Sequence, residues 1–230
     1  MRVLVAAMIL SAATEARAGA CLGEDEIVDD IVRLEAYAKD PKATITGYYC
    51  VRVAFGDQDD IVPPSDRKKL QGRIEKACTA ILTRDHADAE CIELAVRLGK
   101  KSLAGVDLFD VVSKYKADIW DWDRWSPMLW MLGELGDPRG AQLIRDEWTA
   151  AIEVAAKYEK AHRHELMMAW AGWRKDAAEM LGKLGAAADK TFLEEQAAAT
   201  KDPYVKQACL DGAKAIERRL SAAPPPPARP

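Results

Sequence analysis

Two stretches of this chain repeat one another. Met131-Leu-Gly-Glu-Leu-Gly-Asp-Pro-Arg-Gly-Ala-Gln-Leu-Ile144 aligns with Met180-Leu-Gly-Lys-Leu-Gly-Ala-Ala-Ala-Asp-Lys-Thr-Phe-Leu193 at an offset of 49 residues. A repeat of that length constrains the fold more than composition does. Each copy is one supersecondary unit that cannot bury its own apolar side, so neighbouring units must cover one another. An earlier Leu98-Gly99 matches the Leu-Gly stop of both copies at an irregular spacing.

The period around these copies is helical. Ile27, Ile31, Leu34 and Ala38 share one helix face, as do Ile144, Trp148, Ala151, Ile152 and Ala155. Trp170, Trp173, Ala177, Met180, Leu181 and Leu184 form a third stripe, with charged residues on the opposite side. Asp40-Pro41, Asp137-Pro138 and Asp202-Pro203 read as helix starts, and Ser126-Pro127 repeats the device with a hydroxyl. The side-chain oxygen accepts N–H groups that the first turn leaves open, and proline has no N–H to waste there. Leu98-Gly99, Leu135-Gly136 and Leu184-Gly185 read as stops with a left-handed glycine. Tyr49, Val51, Val53 and Phe55 alternate as a strand would, yet they follow the Asp40-Pro41 start, and we read them as helix. Gly56 to Pro64 is then a surface loop.

Leu132-Gly-Glu-Leu-Gly-Asp-Pro-Arg139 resembles the turn between the paired helices of the HEAT-repeat family, an armadillo-type helical repeat. Asp202-Pro-Tyr-Val-Lys-Gln-Ala208 is similar to the opening of that family's second helix. The resemblance is clearest over residues 126–220. Over 21–125 only Asp40-Pro41-Lys42 matches, so that N-terminal helical region would hold degenerate repeats. The stretch from Trp148 to Trp173 exceeds a compact repeat and implies extended helices or an insertion. The resemblance implies an all-α fold, an α-solenoid of stacked antiparallel helix pairs with a concave face for a partner. It brings no catalytic residues. Bilin lyases are similar to this repeat type, which keeps a lyase-like enzyme as an alternative, and a plain helical bundle is the alternative fold.

The two ends differ from the body. Met1-Arg2, the apolar run Val3 to Ala13, and the small residues at Ala16, Ala18 and Ala20 form the pattern of a secretory signal peptide over residues 1–20. The chain is then exported, periplasmic or extracellular. Cys21 follows directly, so a lipid anchor there is a secondary possibility. At the other end Pro224 to Pro227 open a Pro-rich tail, 221–230, too poor in apolar groups to fold. Between the ends no apolar stretch approaches the ~20 residues that span a bilayer. With 33 basic against 37 acidic residues, net −4, no basic surface for a nucleic-acid backbone is available.

The five cysteines lack C-x-x-C spacing, which argues against zinc and against a thioredoxin-like pair. Cys78 and Cys91 lie symmetrically about a turn at Asp85–Ala87 and are the preferred disulfide, with Cys21–Cys50 a second choice and Cys209 a buried thiol.

Signals of chemistry are sparse. His164-Glu165-Leu-Met-Met168 begins like H-E-x-x-H, but Met168 stands where the second imidazole must be. Asp57-Gln-Asp59-Asp60 opens like a calcium loop, but Ile61 and Val62 occupy the next required positions. Three histidines and no G-x-S-x-G elbow leave no nucleophilic site. No metal, cofactor or catalytic residue is therefore expected. Trp120, Trp122, Trp125 and Trp130, interleaved with Asp118, Asp121 and Asp123, are the candidate contact residues. Tryptophan anchors protein interfaces and stacks on sugar rings, but with only three Phe in the chain most of these indoles are needed as core. Trp120, Trp122, Trp125, Asp121 and Asp123 are the candidate partner-binding residues, with one or two of the indoles left for a surface. The expected function is a protein–protein interaction or scaffold module. The alternatives are a carbohydrate or cell-wall binder using residues 118–130, and the lyase-like enzyme.

Overall fold

The structure, a computed structural model, describes residues 24–43, 49–55, 62–114 and 122–222. The chain is all-α, with ten helices and one two-stranded hairpin among the described residues. It divides at Val111/Val112 into two compact units.

In the N-terminal unit, α1 (Glu24–Lys39) buries Ile27, Ile31 and Leu34 as its spacing requires. The alternating segment is helix, α2 (Tyr49–Ala54). Asp30, buried in α1, explains why: its carboxylate accepts the Cys50 N–H at 2.9 Å and so caps α2 from a neighbouring helix. Long α3 (Pro64–Arg84) and α4 (Ala89–Arg97) form a hairpin, α4 starting on the Asp88 carboxylate, which accepts the Cys91 N–H. At the end of α4 Gly99 adopts φ +70, and the N–H groups of Gly99 and Lys100 close on Val96 and Ala95. This is the glycine stop the sequence predicts.

α3 packs on α1 and α4. Arg73 grips Glu35 with two hydrogen bonds, 2.8 and 2.9 Å, and Arg84 donates to the carbonyls of Tyr37 and Ala38 at the end of α1. Arg52 of α2 pairs with the buried carboxylate of Glu93, which Arg97 also holds at 3.0 Å. Beyond α4, strands β1 (Ser102–Leu103) and β2 (Val106–Asp107) pair through a two-residue turn, Ala104-Gly105, with both φ positive. Helix α5 (Leu108–Val112) follows, at the division between the units.

The C-terminal unit contains α6 (Trp122–Leu135), α7 (Arg139–Lys160), α8 (His164–Leu184), α9 (Ala187–Ala199) and α10 (Pro203–Ala222). Helix α8 packs on α6, α7 and α10, and α10 also packs on α9. The two aligned copies occupy equivalent places. Residues 131–144 span the end of α6 and the start of α7, and residues 180–193 span the end of α8 and the start of α9. The stretch between Trp148 and Trp173 is two extended helices. His162 joins them at φ 53, with Arg163 N–H closing on the Tyr158 carbonyl, so a histidine takes the left-handed position usual for glycine.

Helix α6 begins at Trp122, so Ser126-Pro127 is not its start: Pro127 is the sixth residue, past the first four, whose N–H groups have no partner within the helix. Gly185 is extended (φ −66, ψ 158), not left-handed. Glycine is required there for space, since a Cβ would lie 2.6 Å from both Asp189 Cβ and the Leu181 carbonyl oxygen. Ile152, on the predicted α7 stripe, is 45% exposed. Helix α10 runs through Ala222, two residues into the expected tail, and residues 223–230 lie outside the described residues, as do the expected signal peptide, 1–20, and Cys21.

Candidate functional site

The expected contact residues are only partly placed. Trp120 and Asp121 lie outside the described residues. Trp122, Asp123 and Trp125 fall in the first turns of α6, and their side chains are likewise outside the description. Trp130 is half-buried.

Cys78 of α3 and Cys91 of α4 do face each other across the hairpin. They are free thiols in hydrogen-bond contact, 1% and 0% exposed, and the contact with Cys78 followed by burial holds the Cys91 thiol far above its usual range. Cys50 is disulfide-bonded, with its partner outside the described residues. Cys209 is a buried free thiol pushed up to about 11 by burial.

The aromatic residues that gather around a cavity are others. Trp148 of α7 stands edge-on to Trp170 and Trp173 of α8 and to Phe192 of α9, at 6.2, 5.7 and 5.5 Å between ring centres. Trp170 and Trp173 stack at 5.4 Å. Offset and edge-on arrangements are the ones the ring quadrupole favours. The spacing comes directly from the helices, because residues three apart share a face and α7 lays Trp148 against that face. The Trp148 indole N–H donates to Gln196 Oε1 at 3.1 Å, tying α7 to α9.

Above Trp148 and Trp170 opens a cleft of about 740 Å³ between α7, α8 and the α9–α10 turn. Its apolar walls include Ile152, Ala156, Met167 and Met168, the last 74% exposed. Its polar groups are Arg174, Gln196, Thr200 and Asp202, with Glu159, His164 and Lys201 also lining it. Arg174 lies with its guanidinium over the Trp170 ring, 5.0 Å from the centre, and donates to Thr200 Oγ1 at 3.3 Å. Burial lowers the Arg174 pKa, against the opposing pull of Asp202. Asp202 makes no ion pair with it; its Oδ1 caps α10 by accepting the N–H groups of Tyr204 and Val205, at 2.9 and 3.1 Å.

No protein-family model, curated protein or solved structure matches the chain.

Among the described residues neither Glu159 nor His164 hydrogen-bonds through its side chain to a group that would activate it, and no cluster of three His, Cys, Asp or Glu is placed to hold a metal ion. No described helix is long and apolar enough to cross a membrane. Sequence reading assigned Trp148 and Trp170 to the core and missed that the same rings floor a cleft. A usable signal was present in Arg174, one helical turn after Trp170 and adjacent to Trp173, where the apolar stripe should carry no charge.

Proposed function

We propose that this chain is an exported, HEAT-like helical-repeat protein that holds a segment of another protein in the cleft of its C-terminal unit. The observation that carries the reading is the cleft wall. Ile152 and Met168 stay exposed beside an aromatic floor, although the rest of that floor is covered. Exposed apolar groups next to a cavity mark recognition surfaces. Methionine adapts its shape to varied apolar partners. The repeat reading draws support from the two matched segments, which occupy equivalent helix–turn–helix junctions.

A photo-crosslinking residue placed at Met168 is expected to capture a protein partner in cells, while the same residue at exposed Val32 in the N-terminal unit does not. Equal capture at both positions, or none at Met168, rejects the cleft as the recognition surface.

Export would also set Cys78 and Cys91 before thiol–disulfide oxidants. Joining the two sulfurs releases two protons and passes two electrons to the oxidant's disulfide, so the pair is expected to close in that compartment. Burial shields both thiols in the folded chain, so labelling must follow unfolding in urea. Of Cys78, Cys91 and Cys209, only Cys209 should label before reduction and all three after it. Labelling of Cys78 or Cys91 without reductant defeats the pairing.

A further inference from the structure

The cleft contains a cation that the fold leaves short of partners. The Arg174 guanidinium carries five N–H donors. Among the described residues it makes one hydrogen bond, the 3.3 Å contact to Thr200 Oγ1, and Asp202 attracts it only from a distance, without an ion pair. Its Nε is buried without a hydrogen-bond partner. Removing a charge from water without pairing it is unfavourable, and native sequences rarely leave it so. The Trp170 face covers one side of the guanidinium plane, which leaves its edge for a planar, two-oxygen acceptor.

We infer that Arg174 anchors a carboxylate of the bound segment. On this basis the cleft takes a peptide carrying one Asp or Glu side chain flanked by apolar residues. The inference rests on the protein-binding reading above and specifies its partner. Three observations select a peptide over other anions. An inorganic anion would leave the Met167, Met168 and Ile152 wall uncovered. A long-chain carboxylate would leave the Gln196 amide and the Thr200 hydroxyl facing hydrocarbon, whereas a peptide backbone supplies both donors and acceptors to them. The net charge of −4 and the presence of Glu159 and Asp202 in the lining oppose a run of acids, so a single carboxylate fits best. Arginine and carboxylate meet through two parallel hydrogen bonds, stronger than neutral ones and more so where water is excluded.

The test is selection from a phage-displayed library of random peptides on the full chain, followed by affinity measurement on the selected peptides. These peptides are expected to carry one Asp or Glu beside apolar residues. Changing that acid to its amide should weaken binding about 10- to 100-fold. Arg174→Gln should weaken the acidic peptide by a similar factor and leave the amide peptide nearly unchanged, with helical content and melting temperature tracked to confirm that the variant folds. Arg174→Lys should recover part of the loss, since it keeps the charge and loses the fork. Selected peptides without an acid, still dependent on Met168, would overturn the carboxylate anchor while leaving protein recognition in place. Failure to select any peptide would overturn both. Displacement of the acidic peptide by dodecanoate or inorganic phosphate at comparable concentration would overturn the peptide assignment.

Discussion

Gly212→Ala is expected to destabilise the C-terminal unit by about 2 kcal/mol, although an isolated helix gains stability from the same change. In helix interiors alanine is favoured over glycine by about 1 kcal/mol. Here α8 and α10 cross at glycines. A Cβ on Gly212 would lie 2.5 Å from the Ala178 carbonyl oxygen and 3.0 Å from Leu193 Cδ1. Across the crossing, a Cβ on Gly182 would lie 3.0 Å from Gly212 Cα. The first clash is with backbone, which cannot swing aside as a flexible side chain can. The helices must therefore separate, which loosens the contacts of Val205, Cys209 and Ile216, all buried on α10. Overpacking of this kind costs about 1–3 kcal/mol before lost contacts are added. That exceeds the propensity gain and reverses its sign. The melting temperature should fall by on the order of 10 °C for a unit of this size. Gly72→Ala in α3 is the internal comparison. Its Cβ meets nothing within 4 Å, so propensity acts alone and stability should rise by about 0.5–1 kcal/mol. A Gly212→Ala protein as stable as the parent would mean that α8 and α10 do not cross there.

How much of this could be read from sequence depends on the range over which each feature is determined. The stripes of α1 and α8 were legible because burial repeats every turn, and all six residues of the Trp170–Leu184 stripe are buried. Local caps were legible too: Asp202 accepts the first N–H groups of α10, and Gly99 and Gly136 are left-handed stops. Gly185 carries the same signature for a different reason, close approach of Asp189, which no local pattern can distinguish. The turn at His162 has no glycine to announce it, and Ala104-Gly105 is a weak form of the usual Asn-Gly hairpin signal. The Arg52–Glu93 pair joins residues far apart in the chain, so its existence depends on the packing of α2 against α4. For the site, the Trp120–Trp125 segment drew attention because its density is local. The cleft is assembled from Trp148, Trp170, Arg174 and Gln196 on three helices, and its shape exists only once those helices pack.

Trp148→Ala should be the most damaging single truncation, removing about 4–5 kcal/mol from the C-terminal unit. The side chain is 1% exposed and touches Trp170, Trp173 and Phe192 together. Truncating a buried tryptophan costs about 3–5 kcal/mol through lost transfer energy and the cavity left behind. Each edge-on pair contributes a further 0.5–1.5 kcal/mol or so. These terms do not sum in full, because the Trp170–Trp173 stack survives and can shift into the space. The result stays near the top of the truncation range. Trp148→Phe separates packing from polarity. It keeps a ring against the three neighbours and loses the hydrogen bond to Gln196, so a loss of about 1–2 kcal/mol is expected. Guanidinium unfolding of the full chain, followed by far-ultraviolet ellipticity, gives both values. Near-ultraviolet ellipticity should fall sharply in Trp148→Ala, because the fixed edge-on indoles lose their common neighbour. A Trp148→Ala loss below about 1 kcal/mol would mean that this indole does not join α7 to α8 and α9. The cleft would then have no rigid floor on which Arg174 could hold an anion in place.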